Sequence, residues 1–184
     1  MRLKSADQGT AKALLIRSGG GSVSVGMDFG EWVYERGFDV IVDDVCLSSC
    51  ANYVFPAGRI KTILPGGLVA WHGNSLQKSA ETDIQTLPRP LQSSARKLLP
   101  ELRARERAFY TKVGVNECLD HIGSALLGVH GLFTMSADDM AKFGVRDIHG
   151  AASGEDKVST RIRRDVKFTF VNVPLQLDAS SACR

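Results

Sequence analysis

At 184 residues, 43% hydrophobic and 23% charged, the chain has the size and composition of one globular domain with a substantial core, and a second full domain is not expected. The formal net charge of +3 is scattered, and the densest basic stretch, Arg161 to Arg164, lies among strand-like residues, so no nucleic-acid partner is expected. No apolar run reaches the roughly 18 residues that cross a bilayer, so no membrane span is expected.

The first residues turn glycine-rich before they form the apolar segment of a signal peptide. The expected location is therefore periplasmic if a signal peptide has been removed, and cytoplasmic otherwise. Ala11 to Arg17 is a short apolar run that reads as a buried strand, followed by Ser18 and the glycines at 19, 20 and 21. A helix then starts at Ser22, follows Val23, Met27 and Tyr34 at helical spacing, and stops at Gly37. Phe38 to Asp44 is a second strand, and Ser49 to Gly58 a short helix closed by Pro56 and Gly58. "RIKTILPGG" and "LVAWHG" give two short strands. Asn74 to Pro90 is polar and reads as a mobile loop.

The segment 91–127 is expected to be helical. Leu91 to Lys112 forms one helix, with Pro100 at a first turn or a kink, and Glu117 to Leu127 forms another. Gly131 to Ser136 returns to strand, and Ser136 with Asp139 matches a capping pattern for a helix over Ala137 to Phe143. "GAASGEDKVS" is a loop, "TRIRRDVKFTFVNVPLQL" alternates like a strand or a hairpin arm, and Asp178 to Arg184 is a tail. Strands alternating with helices make 1–177 a single α/β domain with helices flanking a sheet.

In such a sheet, function gathers at the turns that lead from strand to helix. Three features there carry chemistry, each with a plain structural counterpart. The glycines at 19 to 21 aim backbone N–H groups at a phosphate or a developing oxyanion, or else make a tight turn. Ser48 and Ser49 open a helix, where the positive end of the dipole favours a nucleophile, or where a serine is simply the cap. His72 ends a strand, as a base or as a rim histidine. Of the cysteines at 46, 50, 118 and 183, the pair Cys46 and Cys50 lacks the second pair that a zinc site needs, and bridges only if the backbone turns between them. No metal and no cofactor is expected.

These features stand together in "LLIRSGGGSVSVGM", "CLSSCANYVFPAG" and "ILPGGLVAWHG". From Leu14 to His72 the chain resembles the Clp-type serine peptidases of the ClpP/crotonase superfamily, and their bacterial, often periplasmic, relatives. In that family a strand ends in Ser-Pro-Gly-Gly-Ser, the nucleophilic serine opens a helix that ends in Ala-Gly, and Leu-Pro stands seven residues before the catalytic histidine. Here Ser49 lies nine residues before Gly58, as the family's nucleophile does, and His72 lies seven after Pro65. The resemblance implies repeated strand-strand-helix units flanked by helices. It makes Ser49 the nucleophile, His72 its general base, and Gly20, Gly21 and the Cys50 N–H the oxyanion hole. Ser48 is the competing nucleophile if the helix begins one residue earlier. "TMSADDMAKFGVRDIHG" is similar to the family's terminal segment.

The position of the family's triad aspartate is occupied by Leu132, whereas Asp147 matches a different aspartate of the family. Asp120, His121 and His130 are the candidate substitutes for the missing acid. Gly19 replaces the family's proline, which loosens the oxyanion loop. A shortened first strand leaves a sheet edge that a second copy of the chain can cover, so homo-oligomerisation is compatible with the sequence. The expected activity is that of a serine hydrolase, a peptidase acting on a peptide or protein substrate. The alternatives are an inactive ClpP-like binding or assembly module and, behind it, a crotonase-like acyl-CoA site.

Overall fold

The computed structural model of the chain describes residues 12–150 and 157–174; the tail, and most of the loop expected before Val158, lie outside them. The fold is mixed α/β and is organised by one long strand. β2 (Asp39–Leu47) alternates buried and more exposed positions and pairs in parallel with β1 (Ala13–Ser18) on one side. Leu14 faces Val40 and Ile16 faces Val42 in the core, while Leu15 and Ile41 take the opposite face. On its other side β2 pairs twice. Val40 to Val42 meets β3 (Lys61–Ile63), and Val45 to Leu47 meets β4 (Leu68–Ala70). β2 thus runs beyond the end expected from its apolar core and delivers Ser48 beside the end of β4. β6 (Ile148–His149) completes this parallel sheet against β3.

The first helix, α1 (Val23–Arg36), buries Met27, Gly30 and Val33 and stops at Gly37, whose left-handed backbone (φ 65°) lets its N–H reach the last carbonyls. Gly26 and Gly30 let α1 lie directly on the segment after β2. A Cβ on Gly30 would stand 2.3 Å from the carbonyl oxygen of Tyr53. That segment is a π-helical turn, Cys50–Val54, followed by the short α2 (Phe55–Ala57), and every residue of the two is buried.

Within the stretch 74–90, expected as a loop, α3 (Ala80–Thr86) forms because Ala80 and Ile84, one turn apart, both find the core. α4 (Arg89–Val113) accepts Pro90 in its first turn and carries Pro100 inside; of its 25 residues, Glu106, Phe109 and Tyr110 are buried. Phe109 packs edge-on to Tyr53 at 5.5 Å, which ties α4 to the π turn. A 3₁₀ turn (Glu117–Asp120) and α5 (Ile122–Leu127) stand where one helix was expected. β5 (Leu132–Thr134) leads to α6 (Ala137–Lys142), where the Ser136 hydroxyl caps the Asp139 N–H as its spacing predicts.

The segment expected as one strand or hairpin arm divides into α7 (Thr160–Asp165) and β7 (Phe168–Phe170). Ser159 caps α7, Ile162 turns into a cluster with Leu47, Leu68, Ala70 and Val158, and Arg161 reaches Asp44 at 2.5 Å. These tertiary contacts override the alternating pattern. β7 pairs in parallel with β5, and β5 is joined to the end of β4 by the antiparallel bridge of Trp71 to Phe133. Among the described residues no helix is long and apolar enough to cross a membrane.

Candidate active site

Ser48 stands between the end of β2 and the π turn, and its backbone is left-handed at φ 55°. For a residue with a Cβ this conformation is disfavoured, and such residues concentrate at functional turns. Several restraints impose it. The Ser48 N–H donates to the Ala70 carbonyl at 3.0 Å, its own carbonyl accepts from the Asn52 N–H at 2.8 Å, and a disulfide joins Cys46 to Cys50 across it. The turn projects the Ser48 hydroxyl to 2.7 Å from His72 Nε2. When the hydroxyl donates, Nδ1 of that ring carries the remaining proton.

Ser49, which the nine-residue count to Gly58 places at the nucleophile position, is elsewhere. It is 5% exposed, and its hydroxyl donates to the Gly21 carbonyl at 2.9 Å. The difference of one residue has a structural cause. Where the chain bonds from i+5 to i, as the Phe55 N–H does to the Cys50 carbonyl, the turn holds one residue more than an α-helical path, so the entering residue sits one place earlier. Ser49 instead fastens the glycine loop to the helix that follows Ser48.

The glycines lie where the sequence expects them. Gly20 (φ 94°) is pressed so closely on the serine turn that a Cβ would stand 2.7 Å from both the Leu47 carbonyl and Ser48 Cβ, and 3.1 Å from the Ser49 nitrogen. The Gly20 N–H is engaged with the Ser18 hydroxyl at 3.2 Å. The N–H groups of Ser49 and Cys50 open the turn; the residues four before them, Val45 and Cys46, belong to β2, so no carbonyl of the turn can take them. A cleft of about 200 Å³ beside this loop is lined by apolar groups of Ile16, Val25, Phe29 and Val54, with Gly21 and Ser49 at its polar edge.

His72 is held by its neighbours. The Trp71 indole donates to the Ala51 carbonyl at 3.1 Å, and the Gly73 carbonyl accepts from Asn52 Nδ2 at 3.0 Å. Among the described residues the only hydrogen-bond partner of the His72 side chain is Ser48. Leu132, at the position of the resembled family's acid, packs on the cluster of Leu47, Leu68 and Ala70. The isolated bridge of Trp71 to Phe133 exchanges both bonds at 2.8 and 2.7 Å, and by antiparallel count from it Leu132 is the position opposite His72.

Asp120, one candidate for a substitute acid, is fully buried and engages Asn74 Nδ2 at 3.1 Å and the Tyr110 hydroxyl, so it reaches the segment after His72 rather than the imidazole. Burial holds its carboxyl well above the usual range. Glu106, which the sequence did not single out, accepts from the Tyr53 hydroxyl and from the N–H and hydroxyl of Ser75, and burial raises it too. His121 is buried with Nδ1 lacking a partner among the described residues, and desolvation pushes it down to about 4. Among the described residues His130 makes no hydrogen bond with Ser48 or His72. Among the described residues no cluster of His, Cys, Asp and Glu is arranged to hold a metal ion. No protein-family model matches the chain, and no curated protein matches it.

Proposed function

We propose that the chain is a serine hydrolase of the Clp type, cleaving peptide bonds, with Ser48 as nucleophile and His72 as general base. The observation that carries this reading is the 2.7 Å approach of the Ser48 hydroxyl to His72 Nε2 from a left-handed strand-to-helix turn. The Ser48 oxygen attacks the carbonyl carbon while its proton passes to Nε2. The oxyanion so formed meets N–H groups at the start of the π turn, with the glycine loop alongside. His72 then returns the proton to the leaving amine, and water releases the acyl group by the same steps in reverse order of partners. The apolar cleft beside Gly21 suits an uncharged side chain next to the scissile bond.

The repeated strand-strand-helix unit of the ClpP/crotonase type belongs to this proposal; the parallel pairing of β1, β2 and β3 with α1 between the first two supports it. A fluorophosphonate probe followed by peptide mapping tests the reading. Label is expected on Ser48, lost in Ser48→Ala and in His72→Ala, and retained in Ser49→Ala. No labelling of folded wild-type protein would favour the assembly module, the reading supported by the absence of a described carboxylate beside the imidazole.

A further inference from the structure

We infer that Asn52 is a positioning residue for the pair of Ser48 and His72, doing through the backbone what a carboxylate behind the histidine does through the ring; this rests on the proposed roles of those two residues. Asn52 is 3% exposed and lies one turn beyond Ser48. Its N–H is tied to the carbonyl of Ser48 at 2.8 Å, and its side chain to the carbonyl of Gly73 at 3.0 Å, the residue after His72. One buried residue therefore joins the peptide of the nucleophile, through its backbone N–H, to the peptide next to the base, through its side-chain amide.

The arrangement is two-sided. Ala51, one residue earlier in the same turn, accepts the Trp71 indole at 3.1 Å, so the residues before and after His72 both end on the π turn that Ser48 opens. Trp71 is fixed further by its exchange with Phe133. The two bonds set the height of the imidazole over the Ser48 hydroxyl without touching the ring. Packing alone does not explain the amide: Asn52 Oδ1 is buried without a partner among the described residues, which an apolar side chain of the same size avoids. What the amide adds is the donor to Gly73.

This role separates from that of a triad acid in one measurable way. A carboxylate fixes the imidazole and also stabilises its cation, whereas Asn52 fixes position alone. Removing the donor is expected to lower the maximal rate of inactivation by a small fluorophosphonate about 10- to 100-fold, while the concentration giving half-maximal rate stays within about threefold. The measurement uses the full chain with Asn52→Leu, which keeps the bulk but donates nothing, and Asn52→Ser, whose hydroxyl is too short to reach Gly73, as the alternative should the first not fold. Ring ¹⁵N shifts of His72 are recorded on the same proteins. One fixed tautomer is expected in the wild type and averaged shifts in the variants. Unchanged rates and unchanged shifts in a folded variant overturn the assignment. Where wild-type protein does not react at all, the hydrolase reading fails and the shifts alone decide: a tautomer fixed in the wild type and averaged in the variants upholds the positioning role, and identical shifts overturn it.

Discussion

Replacing Leu132 with aspartate puts a carboxylate across from His72 and tests whether the site lacks only its acid. Trp71 and Phe133 exchange both backbone bonds in an isolated bridge, and the same antiparallel register continued by one residue sets positions 72 and 132 opposite each other, with Cα atoms expected near 4.5 Å and side chains on one face. That face is the one that already holds Leu68 and Ala70 beside Leu132. At about 4 Å and an effective dielectric near 20, an ion pair between the new carboxylate and the imidazolium is worth about 4 kcal/mol. His72 is exposed, and solvent screening brings this down to the roughly 1 kcal/mol of an exposed pair, or about fivefold in rate. Against this, the half-buried leucine gives up its contacts with Leu47, Leu68 and Ile162, at about 1–2 kcal/mol of fold stability. Leu132→Asn carries nearly the same packing loss without the charge. The assay is the second-order rate of fluorophosphonate labelling beside thermal unfolding of all three proteins. Leu132→Asp labelling no faster than Leu132→Asn, with both folded, refutes the register argument.

Gly20→Ala, which meets Leu47, Ser48 and a φ of 94°, is expected to destabilise the fold by about 1–3 kcal/mol and to abolish labelling, checked by denaturant unfolding and gel labelling. Replacing Cys46 and Cys50 together by serine frees the Ser48 turn, and labelling is expected to slow about tenfold or more while the unfolding midpoint changes little; equal rates would show that the bridge does not hold the turn. His121, pushed down to about 4, binds its proton in the unfolded chain near its ordinary 6.5 but in the fold only near 4, so its contribution is lost as pH falls through that window. The loss totals about 3 kcal/mol, and His121→Gln is expected to remove it from the pH dependence of denaturant unfolding. The raised carboxyls of Glu106 and Asp120 act with the opposite sign, so the diagnostic quantity is the difference between wild type and variant.

The parts of this molecule that were legible in the sequence are those where local pattern and tertiary environment agree. Leu14, Ile16, Val40 and Val42 alternate into one core, Gly37 ends α1, and Ser136 caps α6, because strand period, left-handed glycine and hydroxyl cap each act over a few residues. The α7 segment was not legible. Its alternation of arginine with apolar residues fits a strand, and only the contacts of Arg161 with Asp44 and of Ile162 with Leu68 and Val158 decide for a helix. The serine pair shows the limit of counting. A distance of nine residues to Gly58 marks Ser49 along an α-helical path, whereas with the i+5 bond in the turn it is Ser48 that lies beside His72. Asn52 gave one weak signal, a polar side chain among Ala51, Tyr53 and Val54 in a helix that is buried all round.

The strain at Ser48 and the lack, among the described residues, of a carboxylate bonded to His72 fit one physical account. A non-glycine residue in the left-handed region costs about 1–3 kcal/mol, so the turn persists only where its surroundings over-determine it. Here they include the Ala70 carbonyl, the Asn52 N–H, the close-packed Gly20 and the bridge from Cys46 to Cys50. A bridge over a separation of four residues removes less chain entropy than the roughly 3 kcal/mol of a fifteen-residue loop, so its main effect is on local geometry. The same turn then receives Trp71 at Ala51 and holds Gly73 through Asn52. The proposed nucleophile and base are thereby both tied to one short element rather than to each other through a third side chain, which sets orientation without a charge beside the imidazole. On the proposed reading, adding a charge at position 132 acts on the stability of the imidazolium and removing the donor at position 52 acts on its orientation, so the two substitutions change separate parts of the same barrier.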